Sequence, residues 1–352
     1  MRVPTALALV VLVLATGCGT PSAPQSATPP RDPSLSATPS VALPRFGVAG
    51  LVPPHFPSPS AEDWRALYAS YQETGGLAGI YLNWSDGAAT DTGIPPAIAG
   101  AYATAAASRF TPLVELGATH EANGKVTSTA TWTDPTQRKR FIDVAAAVAE
   151  RYRPPFLGIG NEVDRLAASD PSSFDGFVAA FRDAYDAVKA RSPSTRVFTV
   201  FQLESLRGAG TLLGGERRAR WELLSRFTGK IDVVAFTTYP FFDYGDPSDI
   251  LADYYAQAAA RTGVPIAFTE VGWPSAPLSS APGAKYGGTP AEQSAFVKRF
   301  GELTRPLAPA FALWAFPNDL GKGAPVAFES VALRANDGTP KPALSEWQAL
   351  AR

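Results

Sequence analysis

A single α/β domain of the (β/α)8, or TIM barrel, type is the fold class that this sequence predicts. From Arg45 onward, short apolar runs alternate with amphipathic stretches, the pattern of a parallel sheet with crossover helices. Eight such runs can be counted, the number that closes a sheet of this kind on itself. Residues 45–352, which carry them, have the length of a barrel with modest insertions.

The candidate strands are residues 45–51, 78–84, 110–118, 156–162, 196–204, 231–240, 265–273 and 311–317. Between the first two, Ser60-Ala61-Glu62-Asp63 has the form of a capping box, and Trp64, Leu67, Tyr68 and Tyr71 follow at helical spacing. Asp134 before Pro135 and Thr289 before Pro290 each place a capping side chain ahead of a proline at the first helical position. After the fourth strand, Phe174, Phe177, Val178, Phe181, Tyr185 and Val188 form one apolar stripe, which predicts a helix packed on the sheet. No repeat is visible beyond the strand–helix alternation.

Ahead of the barrel, Arg2, the apolar stretch from Ala6 to Ala15, and Thr16-Gly17 read as a secretion signal. It is short for a membrane span. Leu14-Ala15-Thr16-Gly17-Cys18 resembles the bacterial lipoprotein cleavage box, which implies that residues 1–18 are a signal peptide ending at a lipidated Cys18. Residues 19–44, rich in Pro, Ser, Thr and Ala, bury too little apolar surface to fold and are expected to be a disordered linker. The expected location is extracytoplasmic, on the bacterial cell membrane, with membrane contact through the lipid anchor only. Cys18 is the only cysteine, so no disulfide is expected within the domain.

Composition narrows the function classes. With 31 Lys+Arg against 32 Asp+Glu, the net charge is −1. A basic stripe of the kind that neutralises phosphates is not evident, and no nucleic-acid partner is expected. Two histidines and one cysteine offer little for a His/Cys metal centre, so neither metal nor cofactor is expected.

Two glutamates stand at the tips of apolar runs: Glu162 in FLGIGNEVD and Glu270 in PIAFTEVGWPS. A parallel barrel gathers the carboxyl ends of its strands at one face, so residues distant in sequence can meet there. A facing pair of carboxyl groups is what hydrolysis of a glycosidic bond with retention requires, one to protonate the leaving oxygen and one to attack carbon. Asn161 can donate to a sugar hydroxyl, and Trp273 can offer a flat apolar face. The competing readings are a surface carboxylate at Glu162 and a buried, arginine-paired one at Glu270.

Gly160-Asn161-Glu162-Val163, Tyr239-Pro240-Phe241-Phe242 and Glu270-Val271-Gly272-Trp273-Pro274-Ser275, with Trp314 in the last strand, together resemble the clan of retaining (β/α)8-barrel glycoside hydrolases. They are most similar to glycoside hydrolase family 17, the β-1,3-glucanases, with family 53, the β-1,4-galactanases, as runner-up. Val271 stands where family 17 usually has serine. The resemblance implies Glu162 as acid/base, Glu270 as nucleophile, Tyr239 as hydrogen-bond partner of Glu270, and Trp314 as floor of the sugar site. Asn83 and Trp84, and with them Glu115, His120, Gln202 and Phe241, are candidates for lining outer subsites, and the segment 274–288 for one wall of the cleft.

The activity so implied is endo-acting, retaining hydrolysis of a β-linked polysaccharide or oligosaccharide by a monomer. The alternatives are a non-catalytic carbohydrate-binding cell-surface lipoprotein and a transglycosylase.

Overall fold

The computed structural model describes residues 45–85, 93–122, 125–209, 218–277, 288–321 and 328–352. The expected signal peptide, Cys18 and the 19–44 linker lie outside the described residues, as does most of the 274–288 segment. Among the described residues, no helix is long and apolar enough to cross a membrane.

Ten strands form in chain order: β1 (Phe46–Ala49), β2 (Leu77–Asn83), β3 (Thr111–Gly117), β4 (Thr119–Ala122), β5 (Lys125–Ser128), β6 (Phe156–Ile159), β7 (Arg196–Gln202), β8 (Val233–Thr238), β9 (Ile266–Val271) and β10 (Ala312–Ala315). Eight of them close into a parallel barrel in the order β1-β10-β9-β8-β7-β6-β3-β2, with β2 returning to β1. These eight are the predicted strands, each shifted or trimmed by a few residues. The antiparallel hairpin β4–β5 was not expected. It stands above β3 at the carboxyl end of the barrel, and its strands lack the apolar alternation that announces a buried one.

Around the barrel run α1 (Ala61–Glu73), α2 (Pro96–Ser108), α3 (Pro135–Tyr152), α4 (Val163–Ser169), α5 (Pro171–Arg191), α6 (Leu203–Leu206), α7 (Ala256–Thr262), α8 (Pro290–Thr304) and α9 (Pro342–Ala351). The caps form as the sequence predicts. Asp63 N–H donates to Ser60 Oγ at 3.2 Å while Ser60 N–H donates to Asp63 Oδ2 at 2.7 Å. Asp134 and Thr289 accept from the first turns of α3 and α8. The α5 stripe is buried except at Tyr185, whose hydroxyl donates to Asp232.

Two apolar layers hold the domain. The larger lies between sheet and helices, and there Trp347 of α9 donates from Nε1 to the Gly47 carbonyl at 3.1 Å, tying the last helix to the first strand. The smaller fills the barrel axis with Leu77, Leu113, Phe156, Phe198, Val233, Phe311 and Leu313. Phe311 meets Phe156 and Phe198 edge-on, with centroids 4.8 and 5.3 Å apart. These are first or early residues of their strands, so the plug sits at the amino-terminal end and leaves the carboxyl end for polar groups.

Candidate active site

The fourth barrel strand, β6, ends in a sharp turn. Gly160 has φ +81°, and a Cβ there would come within 2.6 Å of the Phe177 ring and 2.8 Å of Val163. Only glycine fits that position. Glu162 follows in the left-handed region at φ 46°, ψ 47°, an uncommon conformation for a residue with a side chain. The turn brings the carboxyl group back over the barrel axis. Thr237 Oγ1 donates to Glu162 Oε1 at 2.8 Å, and Arg165, one turn along α4, donates from Nη1 to Oε2 at 2.9 Å.

The seventh barrel strand delivers the second carboxyl group by a different device. Ala267 faces the barrel axis and Phe268 the helices. Strict alternation would then turn Thr269 inward and Glu270 outward. Pairing with β8 slips at that point: Phe236 stands opposite Phe268, but Thr237 stands opposite Glu270. The extra residue is a β-bulge, which re-aims Glu270 into the barrel, where it accepts a hydrogen bond from the Tyr239 hydroxyl at Oε2.

The two glutamates therefore meet the same strand. Glu162 holds Thr237, which is the register partner of Glu270, and Glu270 holds Tyr239, two residues further along β8 and its end. Adjacent strands lie about 4.8 Å apart, so both carboxyl groups share one opening. Burial, and then the charge of Glu162, push Glu270 up to about 8, against the lowering effect of the Tyr239 hydrogen bond.

A third carboxyl group lies just beneath. Glu115 on β3 is 5% exposed and pairs in register with Tyr81 of β2 and Gly158 of β6. Burial, then the charges of Glu270 and Glu162, hold it well above the usual carboxylate range. Asn161 is also buried, and its Oδ1 has no hydrogen-bond partner among the described residues.

The remaining expected site residues are scattered. Asn83 is partly exposed at the end of β2, with Oδ1 accepting from Ser85. His120 is exposed on the hairpin. Trp84 is buried against Trp132 and Phe141 and donates to Thr129 Oγ1 at 2.9 Å, so it does not line a subsite. Trp273 is fully buried, stacked on Phe296 with Phe241 at its edge, which leaves no ring face for a sugar. Trp314 likewise faces the helix layer, against Phe296 and Trp347, because Leu313 and not Trp314 takes the inward position on β10. Phe241 and Gln202 are buried too, the latter capping α6.

Sequence reasoning missed an aromatic that reaches this end of the barrel. Phe316, just past β10, is partly exposed with φ 61°, and packs toward Phe328, which in turn meets the Tyr239 ring at 5.0 Å. Its position two residues beyond Trp314 was the available signal.

No protein-family model matches the chain, and no curated protein matches it. Solved structures match in fold. A GH5_18 protein from Streptomyces cattleya, in complex with GlcNAc, superposes with a TM-score of 0.61 at 16% identity, over 88% of this chain and 80% of that one. A family 39 glycoside hydrolase from Bacteroides cellulosilyticus gives 0.59 at 16% identity over 87% of this chain, which spans only 62% of that protein. A Rhizomucor miehei β-1,3-glucanosyltransferase in complex with laminaritriose gives 0.56 at 12% identity, over 85% and 96%. At these identities the likeness is one of fold.

Proposed function

We propose that this chain is a retaining glycoside hydrolase that cleaves a β-linked polysaccharide or oligosaccharide internally. The observation that carries the reading is the convergence of Glu162 and Glu270, from barrel strands four and seven, on Thr237 and Tyr239 of β8. The kinds of protein that share the fold support it.

In this reading Glu162 protonates the glycosidic oxygen while Glu270 attacks the anomeric carbon. The carbon–oxygen bond breaks, the leaving sugar departs as an alcohol, and a glycosyl ester forms on Glu270. Water then attacks the same carbon, Glu162 takes its proton, and the ester bond breaks. The Tyr239 hydroxyl stabilises the Glu270 carboxylate before attack and as it is released. Reaction requires a proton on Glu162 and an ionised Glu270.

Family 17 and a β-1,3-glucan remain the reading closest to the sequence motifs, with β-1,4-galactan second. We place the domain outside the cytoplasm as a monomer, held to the membrane only by lipid on Cys18. Incubating the soluble domain with β-1,3-glucan, β-1,4-galactan, mixed-linkage glucan and mannan, and following the anomeric protons of the products, tests the reading. Release of reducing ends with retained configuration is expected. Products longer than the substrate indicate a transglycosylase, a reading to which the fold likeness with a glucanosyltransferase lends weight. Binding without cleavage indicates a carbohydrate-binding lipoprotein.

A further inference from the structure

The double displacement uses two carboxyl groups, and the barrel holds a third that it does not use. Glu115 lies one layer above the aromatic plug, on the same face of β3 as Leu113 two residues before it. Space for it exists because its register partner is Gly158: a Cβ at that position would come within 2.6 Å of both Glu115 Cγ and Phe198 Cζ. The side chain is 5% exposed, yet among the described residues nothing donates a hydrogen bond to it.

That state is unfavourable. A carboxyl group largely removed from water, with no protein donor, costs free energy that an apolar side chain of the same size would not. Glu204, in the same barrel, shows what the fold does with a carboxyl group it keeps for itself. Fully buried, Glu204 accepts from Gln202 Nε2 at 2.5 Å, Thr238 Oγ1 at 2.8 Å, Tyr239 N–H at 3.1 Å and the Tyr254 hydroxyl at 2.7 Å. Glu115 has unspent hydrogen-bonding capacity beneath Glu162 and Glu270, and the buried Asn161 Oδ1 beside them is unspent as well.

We propose that Glu115 is a substrate-contacting, specificity-determining residue, whose carboxyl group exchanges hydrogen bonds with a hydroxyl of the sugar ring lying between Glu162 and Glu270. It rests on the glycosidase reading above and names the ring as a neutral, hydroxyl-bearing one. Three carboxyl groups around one opening, with Arg165 already engaged by Glu162, disfavour a ring that carries its own carboxylate.

Two measurements test this, and they separate it from the glycosidase reading. The first needs no sugar: Glu115→Leu should raise Tm by about 2–4 °C, because the fold loses no hydrogen bond and is relieved of an unpaired carboxyl group, while Glu115→Gln, which leaves a polar group in place, should stay near the wild type. The second uses a Glu162→Gln background to suppress turnover and titrates laminaritriose, cellotriose and β-1,4-galactotriose by calorimetry. Adding Glu115→Leu should weaken binding of the accepted sugar by about tenfold or more, and Glu115→Gln, which keeps a donor and an acceptor, by less. A fall in Tm for both variants, or unchanged affinity in Glu115→Leu, would overturn the proposal. A wild-type protein that binds one of these sugars but cleaves none defeats the hydrolase reading and leaves this role standing; one that binds none defeats both.

Discussion

At the base of the barrel Phe311 fills the axis against Phe156 and Phe198, whereas one layer higher Glu115 stands over Gly158 with no hydrogen-bond donor among the described residues. The two regions are a pair of residues apart along β3 and β6: Leu113 then Glu115, Phe156 then Gly158. The base contributes stability, since each buried Phe or Leu there adds roughly 1.5–3 kcal/mol. Its upper neighbour spends stability to hold carboxyl groups out of water and open to a ligand. The difference teaches that one strand can serve both tasks when its inward positions change character between successive layers.

Breaking the acidic end should cost the most. Glu162→Gln and Glu270→Gln should each lower kcat by about a thousandfold or more, measured as release of reducing ends, with Tm unchanged or raised. Breaking the base should do the reverse. Phe311→Ala should cost about 3–5 kcal/mol in chemical denaturation, while kcat per folded molecule stays near that of the wild type.

Finer tests sharpen the contrast. Tyr239→Phe removes the hydroxyl that meets Glu270 and should lower kcat about 10- to 100-fold, the equivalent of a hydrogen bond to a charged group worth about 1.5–3 kcal/mol.

Stability should follow pH at one end only. Burial raises Asp164 to about 6, Glu204 to about 7 and Glu270 to about 8. The folded protein therefore holds protons that the unfolded chain releases. The corresponding stability is fully present below the ordinary carboxylate range and is lost as pH climbs through those values. Tm should drop by on the order of 5 °C between pH 5 and pH 8, less steeply in Glu270→Gln. Trp273→Phe is the smallest expected effect on sugar affinity, because the ring lies wholly in the packing layer; its cost should appear in Tm.

The eight barrel strands and three of the helix starts were legible because their signals are local. Alternating apolar runs, a capping serine with Asp63 three residues on, and Asp134 or Thr289 before proline act within a few residues of chain. The two glutamates were legible for the same reason, as carboxyl groups at strand ends. The tryptophans were misread because the sequence around Trp84 and Trp273, at strand ends, and Trp314, within the last strand, does not say which way they face.

The chain's own order of residues thus determined the number of barrel strands, their sequence around the barrel and the placing of Glu162 and Glu270 at one end. Tertiary structure alone decided direction. A period of two says which residues share a face, and closure of the sheet then chooses the face that turns inward. On β10 that choice sent Trp314 to the helices, and on β9 a single bulged residue reversed it and brought Glu270 inside. Glu115 could not be ranked above any other strand carboxylate until Gly158 from a different strand was seen to make its space.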